Sequence, residues 1–324
     1  MPPSLRGLHH VTALADDPQR NIDFYTGVLG LRLVKVTVDV DDPEAYHFYY
    51  GDARGRPGTL LTFYCWPGAI RGSPGTGQVS TTALAIPPGA LTAWHRRLSA
   101  HSVAVAGPVP RGEGQMLSFR DPDGLALELV AAPAVARWPA PGRGPLPAAE
   151  AIRGLYGITL WVEVLEPTEA FLTAGLGARR QDAGPNDGLR HYVLGRQGPG
   201  TRIGVRATPG VARCAIGLGS VHHVAVRVPD DGALTVWRAR LAPHVGAVGP
   251  VQDHVYYRAL PVAEPGGVRL ELATEGPGVT VDEGAAEVGT RLALPPWLEH
   301  RRAQLTRVLP SLRLPRATPR SPPR

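Results

Sequence analysis

Four stretches of the chain alternate apolar and polar side chains in the manner of a half-buried strand, as in "HHVTAL" at 9–14 and "HHVAVRV" at 222–228. A helical stretch follows the first of them, "DPQRNIDFYTGVLG", with Gly30 placed to end it. Shorter apolar runs come next, separated by turn segments rich in Gly and Pro such as "ARGRPGT" and "EPGG". The pattern predicts a βαβββ unit.

The unit recurs. "GLHHVT" at 7–12 returns as "GLYGIT" at 154–159, and "FYTGVLGLR" at 24–32 as "FLTAGLGAR" at 171–179, both at an offset of 147. "QVSTTALAIP" at 78–87 is answered by "SVHHVAVRVP" at 220–229, and "DPDGLALELVA" at 121–131 by "EPGGVRLELAT" at 264–274. The chain is therefore a duplicated half with two units in each half, at roughly 5–66, 77–131, 153–207 and 219–274. The expected organisation is an N-terminal domain at 5–131, a Pro/Ala/Gly-rich linker at 132–152 and a C-terminal domain at 153–274. A terminal extension at 275–310 and a disordered basic tail at 311–324 complete it.

Alternation also sorts side chains by face, because neighbouring residues of a strand point to opposite sides. The more apolar sets, His9/Val11/Ala13 and His222/Val224/Val226/Val228, should face the covering helices. His10 and His223 are then left on the open, concave side. In "GGVRLELAT" the stripe Val268, Leu270, Leu272 puts Arg269, Glu271 and Ala273 on that same side. Two imidazoles and one carboxylate leave coordination positions free, which suits a mononuclear non-haem Fe(II) centre, whereas a structural zinc would be closed by four protein ligands. The repeat restricts where such a centre can form. Unit two has Thr81 where unit four has His223, unit three has Gly157 where unit one has His10, and Glu128 answers Glu271. Only unit one beside unit four completes the set. The other histidines, His47, His95, His101, His191, His244 and His300, have no spacing that recommends them, His254 excepted.

Composition changes this picture little. Hydrophobic residues at 43% and charged residues at 19% describe an ordinary globular protein. No signal-peptide h-region and no membrane-length apolar run are present, so the expected location is cytoplasmic. Cys65 and Cys214 lack partners at zinc-site spacing and read as two thiols. Of the net charge of +6, four positive charges lie in the Arg/Pro-rich 311–324, leaving +2 for the rest. With no interleaved aromatic and basic face, nucleic acid is not an expected partner.

Taken together, "GLHHVTALADDPQRNIDFYTGVLGLRLVK", "YHFYYGDARGRPGTLLTFYCWP", "GSVHHVAVRVPD", "EPGGVRLELAT" and "LALPPWLEHRR" resemble the vicinal oxygen chelate (glyoxalase/bleomycin resistance/dioxygenase) superfamily, and within it the extradiol-type dioxygenases that open hydroquinones. The resemblance covers nearly all of 5–310. It implies an α+β fold of four βαβββ modules forming two open, cupped mixed β-sheet barrels with helices outside. It implies Fe(II), with Mn(II) as the alternative ion, on His10, His223 and Glu271, His9 and His222 as catalytic groups, and Thr12 near the substrate. The implied partners are a small aromatic diol and O2, with no membrane and with a homo-oligomer compatible. Two positions depart from the family pattern: His254 stands where an Arg is usual and Pro261 where a Tyr is usual, with Tyr257 and Arg258 as nearby candidates for substrate contact. Rival readings on the same scaffold are a glyoxalase-like isomerase or transferase and a non-catalytic protein that sequesters aromatic compounds.

Overall fold

Each expected βαβββ unit forms in the computed structural model of the chain, which describes residues 3–142, 144–181, 188–196 and 198–315. Module one comprises β1 (Leu8–Ala15), α1 (Pro18–Ile22), β2 (Arg32–Val38), β3 (Tyr46–Gly51) and β4 (Leu60–Cys65). Module two comprises β5 (Gln78–Ile86), α2 (Leu91–Ala100), β6 (Val105–Arg111), β7 (Gly114–Arg120) and β8 (Ala126–Ala131). Module three comprises β9 (Gly154–Val162), α3 (Leu165–Ala170), β10 (Arg179–Gln181), β11 (Arg190–Val193) and β12 (Arg202–Ala207). Module four comprises β13 (Val221–Val228), α4 (Asp231–Leu241), β14 (Gln252–Asp253), β15 (Tyr257–Ala263) and β16 (Arg269–Pro277).

Local chemistry sets the helix limits. The Asp17 carboxylate accepts from Arg20 N at 2.8 Å with Pro18 at the first helical position, and Asp230 accepts from Ala233 N at 2.9 Å to start α4. The helix of module one continues through a π-turn at Asp23–Val28, and Gly30 follows at φ +66°, the left-handed conformation expected of a residue that ends a helix.

The strands form two eight-stranded mixed sheets. One runs β14-β15-β16-β13-β1-β4-β3-β2 and the other β10-β11-β12-β9-β5-β8-β7-β6. Module one therefore sits beside module four, and module two beside module three, so each sheet takes one module from each half of the sequence. The central antiparallel ladders, β1–β13 and β5–β9, both contain two register shifts. These shifts are β-bulges, and they matter for the site described below.

The convex faces carry the helices over one large core that includes Leu8, Val11, Ala13, Val221, Val224 and Val226. A second, smaller cluster lies inside the first sheet's cup, where Val34, Tyr49, Tyr256 and Tyr257 meet Val279 and Val288 of the extension. Lys35 fastens the extension there. Its fully buried ammonium bonds Asp282 Oδ1 at 2.6 Å and the Glu283 carboxylate, and lies 4.8 Å over the Tyr256 ring. The extension includes α5 (Arg302–Val308) and does not stop at 310. Leu312 and Leu314 pack against the main core and Arg313 N donates to Gln19 Oε1 at 2.7 Å, so the packed chain runs on to Pro315. The rest of the expected tail lies outside the described residues. Cys65 and Cys214 are free thiols, and no helix among the described residues is long and apolar enough to cross a membrane.

Candidate metal centre and substrate cavity

β1, β13 and β16 deliver His10, His223 and Glu271 to one point inside the first cup. His10 Nε2 lies 3.1 Å from His223 Nε2 and 3.4 Å from Glu271 Oε1, and His223 Nε2 lies 3.6 Å from that oxygen. One donor atom from each residue falls within 4.8 Å of the others, a spacing that a single ion can bridge with bonds of about 2 Å. Burial defines the electrostatics. Desolvation pushes the Glu271 carboxyl up to about 8 and drives both imidazoles well below their ordinary value. Glu271 Oε1 has no hydrogen-bond partner among the described residues, and no Lys or Arg pairs with it there. A buried carboxylate oxygen facing two imidazole nitrogens fits a cation and has little other reason to persist.

The bulges correct the alternation rule at the two positions where it mattered most. His9 and His222 were assigned to the helix side, yet they lie on the concave side with their neighbours. Leu8 and Val11 both reach the large core, and so do Val221 and Val224, because the register shifts between Leu8/His10 and Thr12/Ala13 each absorb one residue. Tyr257 touches both His9 and His10, and Tyr64 touches both His222 and His223. Each strand thus presents a double histidine to the same interior.

The paired rings form a directional hydrogen-bond chain. Arg269 Nη1 can only donate, so His222 Nε2, 2.9 Å away, accepts and leaves the proton on His222 Nδ1. His222 Nδ1 then donates to His223 Nδ1 at 2.9 Å, and His223 Nε2 carries the proton toward His10 Nε2 and Thr12 Oγ1. His10 Nδ1 donates to His9 Nδ1 at 2.9 Å, and the remaining His9 N–H meets the Thr274 carbonyl. All four rings are neutral in this arrangement. Burial lowers His9 to about 3 and His222 to about 4, the latter helped by Arg269. His9 is enclosed behind His10 and can orient it, whereas His222 lines the cavity.

A cavity of about 610 Å³ opens outward from His223 and Glu271, with Tyr64, His222, His254 and Pro261 among its walls. The His254 ring stacks on Tyr257 at 5.0 Å, and its Nε2 has no hydrogen-bond partner among the described residues. Pro261 pairs with Glu271 across the β15–β16 ladder and offers no phenol there. Thr12 Oγ1 bridges Thr62 Oγ1 at 2.7 Å and His223 Nε2 at 3.0 Å. Arg258 is the exception among the candidates. It is half exposed on the helix-covered face, paired with Asp231 and Asp253, so it does not enter the cavity. His47, set aside from the sequence, belongs to this interior. Its Nε2 bonds Thr62 Oγ1 at 3.2 Å and its Nδ1 meets the Tyr49 hydroxyl at 3.2 Å.

The same arrangement of modules is found in known proteins. The sequence profile of the Glyoxalase/Bleomycin resistance protein/Dioxygenase superfamily matches residues 7–129. MhqO of Bacillus subtilis, which carries the provisional name of ring-cleaving dioxygenase, is 39% identical over 92% of this chain and 94% of its own. The chain belongs to this superfamily. The chlorohydroquinone/hydroquinone 1,2-dioxygenase of Sphingobium indicum is 30% identical over 95% of this chain and 97% of its own. A crystal structure from Bacillus subtilis, provisionally titled a dioxygenase, superposes with a TM-score of 0.88 at 37% identity, covering 96% of this chain and 98% of that one. Glyoxalase I from Zea mays shares the fold alone, with a TM-score of 0.60 at 20% identity over 83% of this chain and 92% of that one.

Among the described residues, the second sheet lacks the centre. Gly157 and Thr81 stand at the imidazole positions, and Glu128 faces Arg111 Nη2 at 3.4 Å. Tyr156, with Trp138 stacked on it, narrows the interior to a cavity of about 310 Å³.

Proposed function

We propose that the protein is an Fe(II)-dependent, extradiol-type ring-cleaving dioxygenase acting on a hydroquinone-like para-diol with O2. The observation that carries this reading is the convergence of His10 Nε2, His223 Nε2 and Glu271 Oε1 beside an open cavity, in a chain whose relatives are named for ring cleavage. Two imidazoles and one carboxylate form the facial set that suits Fe(II), with Mn(II) as the alternative, and leave positions for substrate and oxygen together. Bound there, such an ion would acidify a diol hydroxyl and hold both reactants side by side.

The chain's own residues supply the rest. His9 and His222 lock the rings of His10 and His223 through their Nδ1 atoms, as outer partners of metal ligands do. His222 faces the cavity, and with an ion on His223 Nε2 its own Nε2–H would be placed to donate to a substrate oxygen, while His254 Nε2 is free to hold a ring hydroxyl. Tyr64 and Tyr257 give aromatic walls, and Thr12 with Thr62 fixes the inner side of His223. Arg258 has no part in this assignment.

Metal analysis of anaerobically purified protein, followed by oxygen uptake on hydroquinone, methylhydroquinone, chlorohydroquinone and catechol, tests it. Uptake with an absorbing ring-opened product from the para-diols is expected. Tight binding without uptake would point to sequestration, and a preference for catechol would refute the para-diol assignment.

A further inference from the structure

The outer part of the cavity carries cationic groups that the ring chemistry does not use. Arg269 projects from β16 two residues before Glu271, and Arg213 lines the same cavity, its guanidinium packed against Gly267. Neither pairs with a carboxylate among the described residues; the one polar contact of the Arg269 guanidinium is with His222 Nε2. The acids in this wall are otherwise placed. Glu264 is buried and turned to the Thr168 hydroxyl and Val268 N, and the exposed Asp41 belongs to the β2–β3 loop, where its charge acts on His222 and His254. Size points the same way. An apolar cavity of about 150 Å³ is enough for benzene, so about 610 Å³ leaves room for a substituent beyond the ring. Metal loading also bears on Arg269. His223 Nε2 must then present a lone pair, its proton passes to Nδ1, and His222 Nε2 turns from acceptor to donor, so Arg269 loses its acceptor.

On the reading that this cavity takes a para-diol, we propose that its substrate carries an anionic substituent, a carboxylate, which Arg269 grips with Arg213 behind it. The class is a carboxylated hydroquinone, with the diol end toward the imidazoles and the carboxylate toward the mouth. A guanidinium pairs with a carboxylate through two parallel N–H donors, a geometry that a neutral methyl or chloro substituent cannot use.

Iron-loaded, anaerobic protein should be titrated with 2,5-dihydroxybenzoate, 2,5-dihydroxyphenylacetate and the neutral methylhydroquinone, and each compound then assayed for oxygen uptake. At least one carboxylate is expected to bind about 10- to 100-fold more tightly than methylhydroquinone, the range for a hydrogen bond to a charged group. Arg269→Gln should erase that ratio, Arg269→Lys should restore part of it, and Arg213→Gln should reduce it. Melting temperatures and iron content of the variants show that fold and centre persist. Equal affinities in the wild type, or a loss in Arg269→Gln that is the same for all three ligands, would overturn the inference. Uptake with hydroquinone and no carboxylate preference would sink the inference and leave the dioxygenase standing. An Arg269-dependent preference with no uptake from any diol would uphold the anion grip and sink the dioxygenase.

Discussion

The two cups share a strand order, a pair of bulges in the central ladder and a glutamate at the same position, yet they are chemically opposed. In the first, Glu271 Oε1 faces two imidazoles with no Lys or Arg paired to it among the described residues; in the second, Glu128 faces a guanidinium and the imidazoles are replaced by Gly157 and Thr81. A carboxylate at the bottom of such a sheet is therefore not a metal site in itself. Its partners decide. The backbone differs as well: a Cβ built on Gly157 would lie 2.2 Å from the Arg202 carbonyl oxygen, so the second cup has closed around its glycine and no longer accepts a side chain there.

Four experiments press on this contrast. The largest effect should come from the ligands: His10→Ala, His223→Ala and Glu271→Ala are each expected to reduce iron after anaerobic reconstitution to background, while Glu128→Ala retains it. Full iron in all three single variants would remove the centre. Next comes the seal over the first cup. Lys35→Ala leaves the buried Glu283 with only the Arg291 guanidinium near it and should cost about 3–5 kcal/mol of stability by chemical denaturation; a loss below about 1 kcal/mol would show that the extension is held by its other contacts, Arg291 to Glu283 and Arg32 to the Ala285 carbonyl among them. The double variant Gly157→His/Thr81→His tests the opposite direction. It restores the ligand types but not the space, so it should unfold more easily and gain no second iron, and a second bound iron would show that the cup can reopen.

The smallest effect is a slope with pH in metal-free protein. Glu271 holds its proton up to about 8 in the folded state, against an ordinary value of 4.5, so between those limits the folded chain binds more protons than the unfolded one. Stability from this group therefore falls as pH rises, by about 1.4 kcal/mol per unit at most. The buried imidazoles, lowered when folded, act with the other sign and only below about 6.5. From pH 6.5 to 8 the wild type should lose stability, and Glu271→Gln should flatten that slope. An equally steep slope in the variant would assign it to another group.

The modules, their order and the pairing of one with four were legible because duplication lets each unit comment on the others. His10, His223 and Glu271 were legible because an apolar stripe on one side of a strand leaves the other side conspicuous. What alternation could not give was the bulge, since an extra residue in a ladder depends on the partner strand and leaves no mark in either sequence alone. The resemblance placed His9 and His222 near the substrate while strict alternation turned them away, and the register shifts explain the conflict. His47 could have been found. In "YHFYYG" Tyr46, Phe48 and Tyr50 form the stripe that packs into the core, which leaves His47 and Tyr49 facing inward by the same rule. Arg258 fails for the converse reason: sequence proximity to Tyr257 placed it on the wrong face of β15.

The pairing of module one with module four also has a consequence for the order in which the protein is made. His10 meets His223 across 213 residues, whereas Ser80 meets Thr159 across 79. In free energy of loop closure that difference is slight, about 0.9 kcal/mol. In the time of synthesis it is absolute. A ribosome delivers chain from the N-terminus, so all of β5–β12 is available before Val221 begins β13. The cup without a centre can close first, and β1 must wait beside it with one edge unpaired. A chain interrupted between residues 207 and 271 can complete the inert sheet and never the reactive one.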